Sequence, residues 1–132
     1  MGMSVAVTKS VRVEVASAYV AERSSPEDNQ YFFAYTVRIS NEGERTVQLL
    51  TRHWTITDGR GHIEEVRGPG VIGQQPVILP GRKHEYSSGV PLETPSGFMT
   101  GSYHMKSAGG EEFEVKIPLF ALESPFAERR VH

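Results

Sequence analysis

The sequence predicts an all-β protein folded as an antiparallel β-sandwich of about seven strands. Apolar and polar residues alternate with a period of two in several segments, whereas no window sustains the 3.6-residue period of a helix. Thirteen glycines and eight prolines interrupt the chain at short intervals. Short strands separated by turns every ~8–12 residues are typical of sandwiches. A closed barrel is the alternative.

The first predicted strand lies near the N-terminus, where three valines alternate with charged residues over residues 11–15. Val5 and Val7 either extend this strand or form a separate edge segment. Residues 24–30 are polar, contain a proline and predict a loop.

Residues 31–40 predict a core strand, because β-branched and aromatic residues dominate the segment. One face of this strand is expected to be inward and apolar: Tyr31, Phe33, Tyr35, Val37 and Ile39. A turn over residues 41–44 follows, in which Gly43 is free to take a positive φ.

The next strand, Val47–Asp58, contains the only tryptophan and has an irregular pattern. Val47 and Leu49 share one parity, whereas Leu50, Trp54 and Ile56 share the other. A bulge near Leu49 and Leu50 reconciles the two patterns. Trp54 is then expected in the core, where it removes ~150–250 Å² from water.

A hairpin is predicted at residues 58–61, because the sequence DGRG supplies glycines for positive φ. The chain returns as a short strand over residues 63–67. Residues 68–75 show no strand or helix pattern. The segment 76–81 is apolar and bounded by two prolines, which predicts a position at a sheet edge or at a crossing between sheets.

The C-terminal half predicts a strand over residues 82–88 and then a long loop over residues 88–97, which is rich in proline and glycine. A second hairpin then joins strands over residues 98–106 and 111–117. Pro118 is expected to end the last strand.

Size and composition indicate one domain over residues 1–132, with a core over about residues 5–125 and a frayed tail over residues 126–132. Hydrophobic residues make up 38% of the chain and charged residues 23%, as in ordinary globular domains. The chain has no cysteine, which excludes disulfides, thiol catalysis and cysteine-ligated metals.

The charge and hydropathy exclude other classes of function. A net charge of −2 gives no support for binding to nucleic acid or to an anionic membrane. Apolar runs are shorter than the ~18 residues of a membrane span, and the N-terminus lacks a signal-peptide pattern. We therefore expect a cytoplasmic protein.

The sharpest motif is Gly68-Pro-Gly70-Val-Ile-Gly73, which formally matches the dinucleotide fingerprint G-x-G-x-x-G. That fingerprint needs a following helix to meet the pyrophosphate. Here QQPVILPG follows, which leaves room for about one helical turn. A weaker hypothesis remains: the loop N–H groups bind a nucleotide or pyrophosphate as an anion nest, assisted by Arg67 and Arg82.

Metal and hydrolase sites have little support in the sequence. The five histidines show no H-x-H or H-x-x-x-H spacing: His53, His62, His84, His104 and His132. We expect no designed metal site, although strands can bring distant residues together. His84, Glu85, Ser87 and Ser88 lie close together along one strand, whereas the members of a catalytic triad usually come from separate elements. We therefore expect neither catalytic residues nor a cofactor.

Three long stretches resemble the bacterial ApaG family, also called CorD: RHWTITDGRGHIEEVRGPGVIGQQPVILPG, EYSSGVPLETPSGFMTGSYHM and FEVKIPLFALESP. The similarity covers about residues 31–125, and Gly68, Gly70 and Gly73 match the family motif. The resemblance implies a fibronectin type III-like or immunoglobulin-like sandwich, in agreement with the strand pattern. It also implies a link to cobalt tolerance and magnesium efflux.

Related domains in eukaryotic F-box proteins and in a DNA polymerase δ-interacting protein imply a protein-interaction module. We therefore expect a non-catalytic domain that binds protein partners. Binding of a small anion at Arg67, Gly68, Gly70 and Gly73 is the first alternative, and binding of a divalent metal is the second.

Overall fold

A computed structural model describes residues 3–127 of the chain. This part contains nine strands, more than the seven or so expected, because a short N-terminal strand and a two-residue strand add to the predicted set. The strands are β1 (Ser4–Thr8), β2 (Val11–Tyr19), β3 (Tyr31–Asn41), β4 (Val47–Asp58), β5 (Ile63–Pro69), β6 (Val77–Ile78), β7 (Lys83–Leu92), β8 (Ser96–Ser107) and β9 (Glu112–Glu123). Two short 3₁₀ turns, Ala21–Arg23 and Pro26–Asp28, lie in the loop before β3.

The strands form two antiparallel sheets packed face to face, which confirms the predicted sandwich. The first sheet has the order β1-β2-β3-β7. Val5 and Val7 therefore belong to a separate edge strand, β1, which was one of the two alternatives for this segment. The second sheet has the order β5-β4-β8-β9, and β6 pairs with the start of β4 on the same side as β5. No helix in residues 3–127 has the length and hydropathy needed to cross a bilayer.

Alternating side chains from both sheets build the core. The inward face of β3 is buried along its whole length, as the period of two predicts. Trp54 is 3% exposed and makes edge-on contacts with the Tyr35 and Phe120 rings, at centroid distances of 5.4 and 5.9 Å. The core position expected for this tryptophan is therefore confirmed.

The bulge predicted in β4 is present, since the pairing with β8 shifts register between Leu49 and Thr51. Leu49 is buried before the bulge, and Trp54 and Ile56 are buried after it. Because the extra residue reverses the parity, Arg52 joins the inward-facing series with Trp54. This reversal positions the site described below.

The expected loop over residues 88–97 is wrong in its first half, because β7 continues to Leu92. Pro91 lies opposite Phe32, and β7 is the edge strand of its sheet, where a missing N–H is tolerated.

Gly89, also in this part of β7, leaves space for an aromatic ring of the neighbouring strand. A Cβ at this position would lie 2.3 Å from the Phe32 ring, which covers the glycine.

The expectation that Pro118 ends the last strand is also wrong, because β9 continues to Glu123. The pairing with β8 shifts register around Pro118, so that Ile117 pairs with Gly101 while Phe120 pairs with Met99. A bulge on an edge strand accommodates the proline and moves the apolar series from odd to even positions.

Three smaller differences concern turns and ends. Gly43 does not adopt a positive φ; instead the Asn41 side chain accepts a hydrogen bond from its backbone N–H at 3.0 Å. β5 continues through Gly68 and Pro69, which the sequence left outside any strand. Residues 128–132 of the expected frayed tail lie outside the described residues, and Phe126 packs near the Tyr19 ring.

The two long sides of the sandwich differ. On one side β9 is linked to the first sheet: the Ser17 hydroxyl donates to the Ala121 carbonyl oxygen at 2.8 Å, and the Lys116 N–H donates to Thr8 Oγ1 at 3.2 Å. On the other side the edge strands β7 and β5 face each other across a gap. We call these the closed side and the open side.

Candidate functional site

A groove runs along the open side of the sandwich, between β7 and β5. It consists of two cavities of about 540 and 570 Å³. Ile56, Glu64 and Pro91 line both cavities, so the two adjoin as one groove. Volumes of this size are in the range of ligand sites in proteins.

The floor of the groove is mostly apolar. It is formed by the edges of buried core residues that line the cavity, including Tyr35, Trp54 and Val90. One wall is the inward face of β7, and the other is the inward face of β5. Because β7 and β5 are edge strands, the backbone of each has one side without a strand partner in residues 3–127.

The Gly-rich segment forms one rim of the groove. Val71 and Gln74 exchange two backbone hydrogen bonds of 2.8 and 3.0 Å, which closes a two-residue turn at Ile72 and Gly73. Both turn residues are left-handed, with φ values of 46° and 73°. Val71 is buried beneath the turn, whereas Ile72 is 62% exposed at its tip.

Each glycine of the G-x-G-x-x-G motif has a conformational role. A Cβ on Gly68 would lie 3.0 Å from the Arg52 guanidinium nitrogens, so this glycine makes room for Arg52. Gly70 has a φ of 61°, and a Cβ there would lie 2.2 Å from the Gln74 carbonyl oxygen. Gly73 supplies the positive φ of the turn. The next strand is β6, so a helix for a dinucleotide does not follow this loop.

Arg52 occupies the end of the groove beneath this loop. Its side chain is half-buried and faces inward from β4. Nη1 donates to the carbonyl oxygens of Pro69 at 3.0 Å and of Gly70 at 2.9 Å. The loop therefore turns carbonyl oxygens, rather than N–H groups, toward the cation that lies closest to it.

Three tyrosine hydroxyls lie near the Arg52 charge, from three different strands. The hydroxyls of Tyr86 and Tyr103 hydrogen-bond to each other between the sheets, and Ser88 adjoins the hydroxyl of Tyr35. Burial raises the pKa of all three phenols above the usual value. They therefore remain neutral and provide polar contacts without negative charge.

The opposite end of the groove is acidic. Three carboxylates and one guanidinium line it: Asp58, Glu64, Glu93 and Arg23. Partial burial raises the pKa of Asp58, but the backbone N–H groups of Arg60 and His62, at 2.8 and 2.9 Å, outweigh this effect and lower it. Asp58 is consequently ionised at neutral pH.

The two arginines expected to assist the Gly-rich loop lie elsewhere. Arg67 is 72% exposed and pairs with Glu65, with 3.5 Å between Nη2 and Oε1. Arg82 belongs to the turn before β7, where its backbone carbonyl accepts from Asn41 N–H. Neither is among the residues that line the groove beside the loop. Gly73 lines it, Gly68 leaves room for the Arg52 guanidinium, and the Gly70 carbonyl oxygen accepts a hydrogen bond from Arg52.

The histidines in residues 3–127 do not converge on a metal site. His53 pairs with Glu65 at 2.7 Å, and His62 lines the acidic end of the groove. His104 has its two ring nitrogens bonded to different carboxylates, those of Glu112 and Glu114, so the three groups do not point at a common ion. His132 lies outside the described residues.

The polar residues of β7 are likewise separated. Ser87 and Glu85 face outward, where they contact Thr36 and Arg38 on β3. His84 is on the opposite, inward face of the strand. Ser88 shares that inward face with His84, but Glu85 does not, so the strand alternation separates the acid from the other two groups of a triad.

Sequence reasoning missed Arg52, although the sequence contained a sign of it. The bulge hypothesis placed Leu50, Trp54 and Ile56 on one inward face, and Arg52 has the same parity. A charged residue within an inward-facing apolar series is rare unless it is paired or functional.

Fold and site together define a β-sandwich protein with a groove between two free edge strands. Comparison with known proteins then gives the family. The model of the ApaG domain matches residues 21–107, and the chain belongs to this family.

Relatives agree with this assignment over nearly the whole chain. The ApaG protein of Rhodospirillum centenum is 58% identical over 124 residues, which cover 94% of this chain and 95% of that protein. The ApaG protein of Rhodopseudomonas palustris is 54% identical over 127 residues, which cover 96% and 98%. A crystal structure from Bordetella pertussis is 50% identical, with a TM-score of 0.86 over 89% of this chain and 95% of that one.

Proposed function

We propose that this protein binds an extended segment of a partner protein in the groove on the open side, without catalysing a reaction. The observation that carries the proposal is the conformation of Ile72. A β-branched residue in the left-handed region is strained, by roughly 1–2 kcal/mol. Asn and Gly are the residues that favour the first position of such a turn.

Packing within residues 3–127 offsets little of the strain at Ile72, since the side chain is 62% exposed. Its φ is 46°, and it stands on the rim of the groove beside Gly73. Strained residues of this kind concentrate at sites of function. An apolar side chain at the tip of a tight turn provides contact area for a partner that lies in the groove.

The groove itself suits an extended segment. Its walls are edge strands, and in the part of the chain that the structure describes the outer backbone groups of each have no strand partner. They can form main-chain hydrogen bonds with an added strand. Its floor provides apolar contacts from Tyr35 and Trp54. The family resemblance to interaction modules points in the same direction.

The test is a selection of random displayed peptides on the protein, followed by affinity measurement of the winners. The variant is Ile72→Asn, which relieves the left-handed strain because Asn tolerates that region. We expect affinity to fall about tenfold or more while the thermal midpoint stays equal or rises. The matched control is Val5→Asn, at a 45% exposed apolar position on β1, the far edge of the first sheet, and it leaves affinity unchanged.

Amide shifts on titration with a selected peptide then locate the site. The proposal requires shifts in β5, in β7 and in residues 70–74. Shifts confined to β1 and β9 would place binding on the closed side and contradict the proposal, as would equal affinities for the Ile72→Asn variant and the wild type.

A second candidate function is the binding of a nucleotide or pyrophosphate at the Gly-rich loop, which is favoured by the unused donors of Arg52. Titration with diadenosine tetraphosphate, ATP and pyrophosphate tests it through the amides of residues 68–75. Unmoved amides at millimolar ligand would rule it out. The link to cobalt tolerance and magnesium efflux stays a prediction, which calorimetry with Co²⁺ and Mg²⁺ checks.

A further inference from the structure

Arg52 differs electrostatically from the other half-buried arginines of residues 3–127. Arg12 and Arg38 are half-buried as well, but each has a carboxylate within 4 Å. Arg52 is half-buried, and within residues 3–127 its recorded hydrogen bonds go to two backbone carbonyls from Nη1 alone. A guanidinium has five N–H donors, so Nε and Nη2 retain capacity for an acceptor.

The surroundings hold the guanidinium in place without neutralising it. Gly68 lies directly opposite Arg52 on β5, and the absence of its side chain leaves the space that the guanidinium fills. The neighbouring phenols of Tyr35, Tyr86 and Tyr103 stay neutral. A partly desolvated cation of this kind gains most from an added anion, because water screens the pair poorly.

The charged residues that line the cavity indicate which kind of anion Arg52 would bind. Of the residues that line the cavity beside the loop, Arg52 and Glu64 are the ones that carry a formal charge. A single guanidinium matches the single charge of a carboxylate, which it can bind in bidentate fashion. A pyrophosphate carries several negative charges and would meet Glu64 as well, so its charge would be left largely unbalanced.

The other end of the groove has the opposite sign, with Asp58, Glu64 and Glu93 against Arg23. Gly68, opposite Arg52, and Glu64, at the acidic end, lie four residues apart along β5. This separation is about 13 Å of extended chain. An extended segment places every second side chain on the same face. The segment that fits would have its charged groups about four residues apart.

We infer that Arg52 binds the carboxylate of an acidic residue in the partner segment, which carries a basic residue about four positions away over the acidic end. This inference rests on the proposed function, since it names the chemistry of the segment in the groove. Nη2 and Nε of Arg52 donate to the carboxylate, and the base faces Asp58 and Glu64.

The experiment compares peptides selected on the wild type with peptides selected on Arg52→Gln. Glutamine keeps a donor for the loop carbonyls and removes the charge. The matched control is Arg67→Gln, which removes an exposed arginine outside the groove. We expect Asp or Glu at one fixed position in peptides from the wild type and from Arg67→Gln, and its loss from peptides selected on Arg52→Gln.

A second measurement keeps the test valid if Arg52→Gln fails to fold. In a selected peptide, the fixed Asp or Glu is replaced by Asn or Gln. Its affinity for the wild type should fall about tenfold or more. Peptides that bind the groove with no acidic position, or an amide peptide of unchanged affinity, would overturn the role of Arg52 and leave the proposed function standing. Failure to enrich any groove-binding peptide would overturn both.

Discussion

Gly70 and Gly73 of the Gly-rich loop should respond very differently to substitution by alanine. Gly73→Ala adds a methyl group with nothing within 4 Å, so only the left-handed φ of 73° opposes it. That strain costs about 1–2 kcal/mol. Alanine also lowers the conformational entropy of the unfolded chain, which offsets about 0.4–1 kcal/mol of this cost. We expect the free energy of unfolding to fall by about 1 kcal/mol.

Gly70→Ala carries the same backbone strain together with a collision. Its Cβ would lie 2.2 Å from the Gln74 carbonyl oxygen, against ordinary contacts of 3.4–4 Å. That oxygen accepts the Val71 N–H, so moving it breaks the turn and disturbs a buried valine. One or two lost hydrogen bonds of about 1 kcal/mol each bring the expected loss to about 3 kcal/mol.

Urea unfolding followed by the fluorescence of Trp54 measures both losses, because the chain has a single tryptophan. With a slope of about 2 kcal/mol/M, the midpoint should fall by about 0.5 M for Gly73→Ala and about 1.5 M for Gly70→Ala. An unchanged slope shows that stability alone has changed. Equal midpoints for the two variants, or a larger loss at position 73, would refute the assigned roles.

Three further outcomes are expected. The ring N–H groups of His104 donate to the carboxylates of Glu112 and Glu114, which raises the pKa of His104 above its usual 6.5. The stabilising effect is therefore complete below pH 6.5 and is lost as pH rises through the higher folded pKa, and an NMR titration of Glu112→Gln should show a lower His104 pKa. Ser107→Ala should raise stability by up to about 1 kcal/mol, since the buried hydroxyl has no partner within residues 3–127, and calorimetry measures the thermal midpoint. Gly89→Ala should lower stability by about 1 kcal/mol, and a double-mutant cycle with a Phe32 substitution should show coupling of the same size.

Local patterns predicted the strands well where one face is buried and the other is not. The alternation in β3 and the two parities of β4 translate directly into burial and a bulge. Pro91 and Pro118 misled the prediction because their effect depends on neighbours in the sheet, which the local pattern does not contain. β7 and β9 are edge strands, where the missing N–H of a proline is tolerated, directly in β7 and through a bulge in β9.

The groove was beyond prediction for a related reason. Its walls are strands from different sheets, and which edges face each other across the sandwich depends on the order β1-β2-β3-β7 and β5-β4-β8-β9. Residue spacing carries no information about that order. Spacing did single out the loop at residues 68–73, but it suggested Arg67 and Arg82 as the cations, because sequence alone shows only which residues are near along the chain.

Two residues conflict with local rules, and both lie at the same end of the groove. Ile72 is an apolar, β-branched residue in an exposed left-handed turn, and Arg52 is an inward-facing cation with no carboxylate partner in residues 3–127. Natural sequences are locally consistent except where function requires otherwise. The conflicts are of different kinds, one conformational and one electrostatic, and neither produces the other. Their coincidence at one cavity supports the proposed function, in which a partner contacts the isoleucine and supplies a negative charge to the arginine.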